Sequence, residues 1–258
     1  MARSVTLPED LDLSYRCALN GWHGKYRQDV PVINELPGHM RAFKQQQHRW
    51  AKGNAQCFVS LTGRVLGSKG VIRDRLDEAF LLAGYAIHPI LLSNLLLWPW
   101  AVTYMDRTIF LVVQGIMALV ILVAPVSFAL TVIERDQKIT LSSVFQVVAG
   151  VCLGIGLMVN NTAGQIQGFF SKGGEFVRTP KAHHAGSDGL VTASGSAPRQ
   201  YHSPLHWTFF LEIALAGYCL WATWFLVMQG EALWAVPLVF WAACLGLVAQ
   251  LQLASSPA

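Results

Sequence analysis

Four stretches of the chain are apolar with almost no interruption: residues 79–102, 108–133, 205–230 and 232–253, the third broken only by Glu212. At roughly 20 residues per crossing, each is long enough to span a bilayer as a helix. A fifth block, Ile139–Asn161, is uncharged but carries Ser142, Ser143, Gln146, Gly150, Gly154 and Gly156. Its length predicts a span. Crossing, however, would put Lys172, Arg178, Lys181 and Arg199 of the following loop opposite the basic N-terminal segment, against the positive-inside tendency. A re-entrant or interfacial segment is the preferred reading.

Ahead of the spans, Leu11, Tyr15, Ala18 and Leu19 recur at helical spacing and predict a helix from about Glu9 to Asn20, with acids at its positive end. A Gly-Trp turn and a short strand near Tyr26 to Ile33 follow. Residues 38–60 predict an amphipathic, basic helix with Met40, Phe43, Trp50 and Phe58 among its apolar positions, suited to a membrane surface. A basic connection then ends at Glu78. Residues 183–204, rich in Gly, Ser, Ala and Pro, predict a flexible connector inside a loop over 162–204. The predicted fold is therefore mostly α. Residues 79–258 form a helical membrane domain with 4–5 transmembrane helices, and residues 1–78 are the C-terminal remnant of an α/β domain plus the interface helix. One helix and one strand cannot close an open parallel sheet, so an N-terminal half is expected to be missing.

Composition agrees with a membrane chain: 53% of residues are hydrophobic and 13% charged, where a soluble domain carries roughly 25% charged residues. Of the 19 Lys and Arg, 12 lie in residues 1–78 with 8 acids. This basic, water-facing first third predicts a multi-pass protein with a cytoplasmic N-terminus. Cys17, Cys57, Cys152, Cys219 and Cys244 include no CxxC pair and are expected to be free thiols. No apolar core follows Met1 that could act as a signal peptide. His183, His184, His202 and His206 lack metal-site spacing and are read as residues of a solvated loop.

Three polar patches could carry chemistry. In QQQHRW, Gln46, Arg49 and Trp50 sit at i, i+3 and i+4, so a helix presents them on one face. A guanidinium grips phosphate in a bidentate way, and an indole offers a flat surface for a sugar ring. The bland reading is that Arg49 and Trp50 merely anchor an interfacial helix. Glu9 and Asp10 follow Pro8, and a carboxylate there could take a proton from an attacking hydroxyl, although acids at a helix start need no further explanation. Asp10-Leu11-Asp12 matches a bare DxD, but successive helix residues diverge by about 100°, which argues against one shared ion. The third patch is the charged loop Glu175–Lys181, which could fold over a phosphate. A stop-transfer reading accounts for Arg178 and Lys181 but leaves Phe176 and Thr179 without a role.

The order of these patches, acidic motif, QxxRW, spans, then FxxTxK, resembles the C-terminal half of the membrane-embedded family 2 glycosyltransferases, the processive GT-A enzymes that include cellulose synthase, hyaluronan synthase and the mannan synthase-like proteins. The resemblance implies that Asp10, with Glu9 beside it, is the general base that deprotonates the acceptor hydroxyl. It implies that Arg49 lies near the donor diphosphate, with Gln46 in the same motif and Trp50 under the acceptor sugar. Phe176, Thr179 and Lys181 would belong to a loop closing over the nucleotide. Pro8 stands where the family has Thr, and Arg178 where cellulose synthases carry an apolar residue; RTPK is closer to a bacterial mannan synthase-like branch.

The same resemblance implies a nucleotide sugar and a glycan acceptor as partners besides the lipid bilayer, no nucleic acid, and a bacterial inner (plasma) membrane as the location. It also implies Mg²⁺ or Mn²⁺ in the intact enzyme, held by a DxD that precedes the acidic motif and has no counterpart in this chain. Without that ion the chain alone is expected to be inactive. The alternative is a non-catalytic channel or scaffold paralogue without a donor site. A small-solute carrier would leave the charged helix around Arg49 unexplained. Glu212, an acid within a span, either lines the product path or sits at headgroup level.

Overall fold

The computed structural model describes residues 9–25, 27, 29, 30, 37–171, 173 and 205–254. Among these the regular elements are helical: α1 (Glu9–Leu19), α2 (Met40–Leu66), α3 (Ile72–Leu82), a 3-10 turn at Gly84–Ala86, α4 (Ile87–Tyr104), α5 (Arg107–Asp136), α6 (Leu141–Gly156), α7 (Met158–Phe170), α8 (Thr208–Met228) and α9 (Ala232–Ala254). The strand expected near Tyr26–Ile33 is not seen among the described residues. Arg27 instead clasps Asp29 through two hydrogen bonds of 2.8 and 2.6 Å, and Asp29–Val30 turn the chain; Tyr26, Gln28 and 31–36 lie outside the described residues.

Helices long and apolar enough to cross a membrane run over Gly84–Tyr104, Arg107–Arg135, Thr208–Met228 and Ala232–Ala254. The first starts later than the apolar pattern suggests. Ala79–Leu82 close α3 against α2, and the chain breaks at Ala83–Gly84 before re-entering helix. Asp106 caps α5, its carboxylate accepting from the Thr108 and Ile109 amides at 2.9 and 3.2 Å.

Contacts between helix ends fix which way each span runs. Tyr85, at the start of α4, donates to Gln47 of α2. At the far end of α4, the Trp98 indole donates to the Trp234 carbonyl at 2.7 Å, and Arg107 meets Glu231 at 2.6 Å. Trp98 on Phe110 and Asn94 on Gln114 show α5 running back antiparallel to α4. Thr208 and Glu212, near the start of α8, meet Lys44 of α2, and α8 ends beside Glu231. Thus α5 arrives on the α2 side and α8 departs from it. The α6–α7 pair is bent by 47° at Leu157; Arg135 of α5 donates to Gln146 in its first half, and Gln56 of α2 donates to the Ser171 carbonyl at its end. Residues 162–170, expected in a loop, are helical as the second half of this pair.

Two cores result. Trp98, Phe110, Leu226, Leu238, Trp241 and Leu245 are among the buried residues joining α4, α5, α8 and α9, and Cys57, Leu61, Val65 and Leu82 form a smaller one under α1. Trp241 is buried in the larger core, whereas Trp207, Trp221 and Trp224 are exposed. None of the five cysteines forms a disulfide.

Candidate active site

The site is organised around α2, whose two faces make different contacts. On one face α7 lies close because it offers glycine. A Cβ at Gly164 would stand 2.6 Å from the His48 carbonyl oxygen, and one at Gly168 would collide with the Lys52 carbonyl and the Ala55 side chain. Small residues at this spacing let two helix backbones meet, as in membrane helix pairs. Polar bonds fasten the contact: Asn160 donates to the Lys44 carbonyl at 3.1 Å, and the His48 ring lies 3.0 Å from the Asn160 carbonyl and 3.1 Å from Gln167. The large apolar residues of α2 are not what packs here; Ala42, Ala51, Gly53 and Ala55 are buried, while Trp50 is 46% exposed.

On the other face lies α1. Leu11, Tyr15 and Leu19, one turn apart, pack on Cys57, Leu61 and Val65, and the Tyr15 hydroxyl donates to the Glu78 carbonyl at 3.0 Å. Burial, followed by the nearby Glu78 and Cys57, raises the Tyr15 pKa. Ala18, Leu19 and Gly21 share a cavity of about 520 Å³ with Arg64, Gly67 and Ser68, so α1 runs in the same direction as α2. Asp10, five residues before Tyr15 and hence about 7.5 Å back along the axis, lies toward the half of α2 that bears the QxxRW residues. At 100° per residue, Trp50 falls within roughly 80° of Cys57, Leu61 and Val65. The indole therefore continues the α1-facing column just beyond the start of α1.

Asp10 is exposed; its Oδ1 accepts from the Leu11 amide at 2.9 Å. Asp12 is buried and holds Arg16 at 2.7 Å, so the two aspartates of the DxD string have separate tasks. Glu9 opens α1. Gln46 is half-buried, and burial lowers the Arg49 pKa from its usual value without threatening its charge. Among the described residues no group of three or more His, Cys, Asp or Glu could hold a metal ion. No described cluster is thus assembled for the divalent cation that the family resemblance implies.

Phe176, Thr179 and Lys181 lie outside the described residues, but both ends of their segment are placed. The Gln56 amide donates to the carbonyls of Ser171 and Gly173 at 3.1 and 2.8 Å. At the other end the His206 ring sits 4.9 Å from the His48 ring, and Thr208 accepts from Lys44 at 3.1 Å. The chain thus leaves α2 at Gln56 and returns at Lys44–His48, on either side of Arg49 and Trp50. His206, expected in a solvated loop, is half-buried; burial, then His48 and Lys44, lowers its pKa to about 4. His183, His184 and His202 lie outside the described residues.

One cluster had not been anticipated. The Lys44 ammonium is wholly buried and donates to Glu212 at 2.6 Å, to Gln252 at 3.0 Å and to Thr208 at 3.1 Å, while Gln252 donates to the second Glu212 oxygen at 2.9 Å. Burial lowers the Lys44 pKa, and Glu212 works against that fall. Glu212 is 0% exposed and ties the start of α8 to α2, so it lines no open path. A lone acid within a span signals that it needs a partner, but nothing local singles out Lys44, 168 positions away.

Residues 3–133 match the family model described as Glycosyl transferase family group 2. Similar curated proteins include the probable glucomannan 4-beta-mannosyltransferase 1 of Arabidopsis thaliana, 42% identical over 69 residues that make up 27% of this chain and 12% of that protein. They also include glucomannan 4-beta-mannosyltransferase 1 of Cyamopsis tetragonoloba, 42% identical over 66 residues, 26% of this chain and 12% of that protein. The probable glucomannan 4-beta-mannosyltransferase 2 of Oryza sativa subsp. japonica is 37% identical over 89 residues, 33% of this chain and 15% of that protein. The chain thus spans only a small fraction of the length of these relatives. No solved structure matches it.

Proposed function

Because the chain belongs to glycosyl transferase family group 2, we propose that it forms the acceptor side and the membrane-embedded part of an enzyme that moves a sugar from a nucleotide-sugar donor onto a growing glycan. The observation that carries this reading is the half-exposed Trp50, with Arg49 beside it, on the α1-facing column of α2 beyond the end that bears Asp10.

In this reading the acceptor sugar lies against the Trp50 indole, whose apolar face matches the C–H face of a pyranose. Asp10, open to water and held by its own helix end, takes the proton from the attacking hydroxyl. Arg49 faces the donor diphosphate, where a planar guanidinium suits paired phosphate oxygens, and Gln46 lies on the same side of α2. The segment carrying Phe176, Thr179 and Lys181 covers the nucleotide; its anchors at Gln56 and at Lys44–His48 straddle Arg49 and support this assignment. The divalent cation, Mg²⁺ or Mn²⁺, would be held by residues other than those described. We further propose that the α2 side faces the cytoplasm, since the basic first third lies there, and that the 258 residues alone do not transfer sugar. The relatives named above are plant proteins and lend no support to a bacterial inner membrane. Their names make a mannosyl donor the first to try.

The test is donor-dependent release of nucleoside diphosphate by membranes containing the full protein, across a panel of nucleotide sugars. Asp10→Asn is expected to lower turnover by about 10²–10⁴-fold, the span of general-base catalysis. Trp50→Ala is expected to act on the acceptor KM as well. Full activity in both variants would refute the assignment, and sugar transfer by the purified 258-residue chain would refute its inactivity.

A further inference from the structure

Along the face of α2 that meets α1, the side chains run Trp50, Asn54, Cys57, Leu61 and Val65. At 100° per residue Asn54 falls within about 40° of Trp50 and about 20° of Leu61. It interrupts an otherwise apolar seam. The heights of the two helices can be matched, because the Tyr15 hydroxyl lies near Cys57 and Gly21 shares a cavity with Gly67. Carried back along parallel helices at about 1.5 Å per residue, those pairings put Asp10 level with about residues 52–56 of α2. Within that interval Ala55 and the Lys52 carbonyl face Gly168 of α7, and Gln56 holds the Ser171 and Gly173 carbonyls. Asn54 is therefore the polar side chain on the α1 face at the height of Asp10, one turn beyond Trp50.

Asn54 is only 8% exposed, and its Oδ1 is sealed from water without a hydrogen-bond partner. Its Nδ2 donates to no described residue either. Buried amides normally find partners, and leaving one unpaired is costly. An apolar residue would continue the seam without that cost, so nothing in the packing requires an amide here. The chemistry of the missing partner follows from the amide itself. It presents a donor and an acceptor side by side, and turning it by 180° exchanges them. A hydroxyl, donor and acceptor in one, matches it in either orientation. A phosphate only accepts, and is better served by the guanidinium of Arg49.

We propose that Asn54 hydrogen-bonds one hydroxyl of the acceptor sugar lying on Trp50 and thereby selects which acceptor is extended. This rests on the acceptor reading of Trp50 and Asp10 given above. The indole recognises the apolar face of a pyranose, which many sugars share. Asn54 reads the position of a hydroxyl, in which they differ. Asp10 takes the proton from the attacking hydroxyl while Asn54 holds another, so Asn54 determines specificity without entering the proton transfer.

The test is sugar transfer by membranes containing the full protein, from the nucleotide sugar that supports nucleoside diphosphate release, onto a short 4-β-linked mannan oligosaccharide and onto derivatives that each lack one non-attacking hydroxyl at the accepting end. The native protein is expected to lose about tenfold or more in kcat/KM on the one derivative that lacks the hydroxyl bonded by Asn54. Asn54→Leu is expected to raise the KM of the parent acceptor about tenfold, to leave the donor KM as it is, and to extend the parent and that derivative equally well. It should melt no lower than the native protein, because it removes an unpaired amide. Asn54→Ala gives the same readout if Leu overpacks the seam. A merely structural Asn54 would slow every acceptor alike and keep the discrimination, which would overturn the proposal. So would unchanged KM and discrimination in a folded Asn54→Leu protein, the mark of an amide that holds a buried water only. Trp50→Ala in the same assay separates the two claims. If it raises the acceptor KM while Asn54→Leu is without effect, only the role of Asn54 falls; if both are without effect, the acceptor reading falls with it.

Discussion

Replacing Lys44 by Met removes three hydrogen bonds from a place that water does not reach. In the native protein the ammonium meets Glu212, Gln252 and Thr208 between 2.6 and 3.1 Å, and Lys44 and Glu212 are both fully buried. Met fills similar space but leaves the Glu212 carboxylate with Gln252 alone, an uncompensated buried charge. Breaking one side of such a pair costs about 3–5 kcal/mol, whereas replacing both sides with well-packed apolar groups is often neutral or stabilising. Glu212→Gln retains an oxygen that can accept from Lys44 and should cost less, about 1–3 kcal/mol. Lys44→Met/Glu212→Leu should then recover most of the loss of Lys44→Met. The assay is a double-mutant cycle on unfolding in graded denaturant, in detergent, followed by tryptophan fluorescence. Additive losses in the double variant would refute the claim that the two residues act as one unit. A strong fall in the cost at high salt would refute their burial, because screening acts mainly on exposed pairs. Loosening this tie also frees the helix that carries Gln46, Arg49 and Trp50, so Lys44→Met should impair sugar transfer without touching substrate.

Gly168→Ala should destabilise by about 1–3 kcal/mol, the usual cost of overpacking, because the new methyl group meets the Lys52 carbonyl and Ala55; Gly154→Ala, facing open space, should be nearly neutral in the same melt. His206 titrates near 4 in the folded protein and near its ordinary 6.5 when unfolded. Between those values the unfolded chain binds more protons, so stability falls as pH drops from 7 toward 4, by about 1–2 kcal/mol once solvent screening of this half-buried ring is counted. His206→Asn should flatten that part of the pH–stability curve, and an unchanged curve would remove His206 as its cause. Arg107→Ala, on a partly exposed pair with Glu231, should cost no more than about 1 kcal/mol by thermal melt.

Long unbroken apolar runs were enough to locate the four spans, because a bilayer demands length and hydrophobicity and little else of a helix. Periodicity also located α1 and α2, and the order of short motifs pointed to the family. Chain-local information stopped there for three reasons. Ala79–Leu82 read as the start of a span, yet they close α3, since an apolar pattern does not say where a helix bends. The basic loops hinted that residues 139–161 differ from the other spans, but the 47° break at Leu157 and the packing of α7 on α2 came only from the tertiary structure. Glu212 could be read as a path residue or an interface residue because its partner is far away along the chain.

The sequence by itself determined which segments leave water and which side chains could handle a phosphate and a sugar, both being properties of residue type and short spacing. Tertiary structure alone decided that Trp50 continues the column on which α1 sits, that Gln56 and Lys44–His48 pin the loop on either side of Arg49, and that Glu212 neutralises Lys44. Each depends on which face of α2 meets which neighbour. That choice was made by the glycines of α7 and the buried charge of Lys44, acting between segments more than 100 residues apart, where no local pattern can register it.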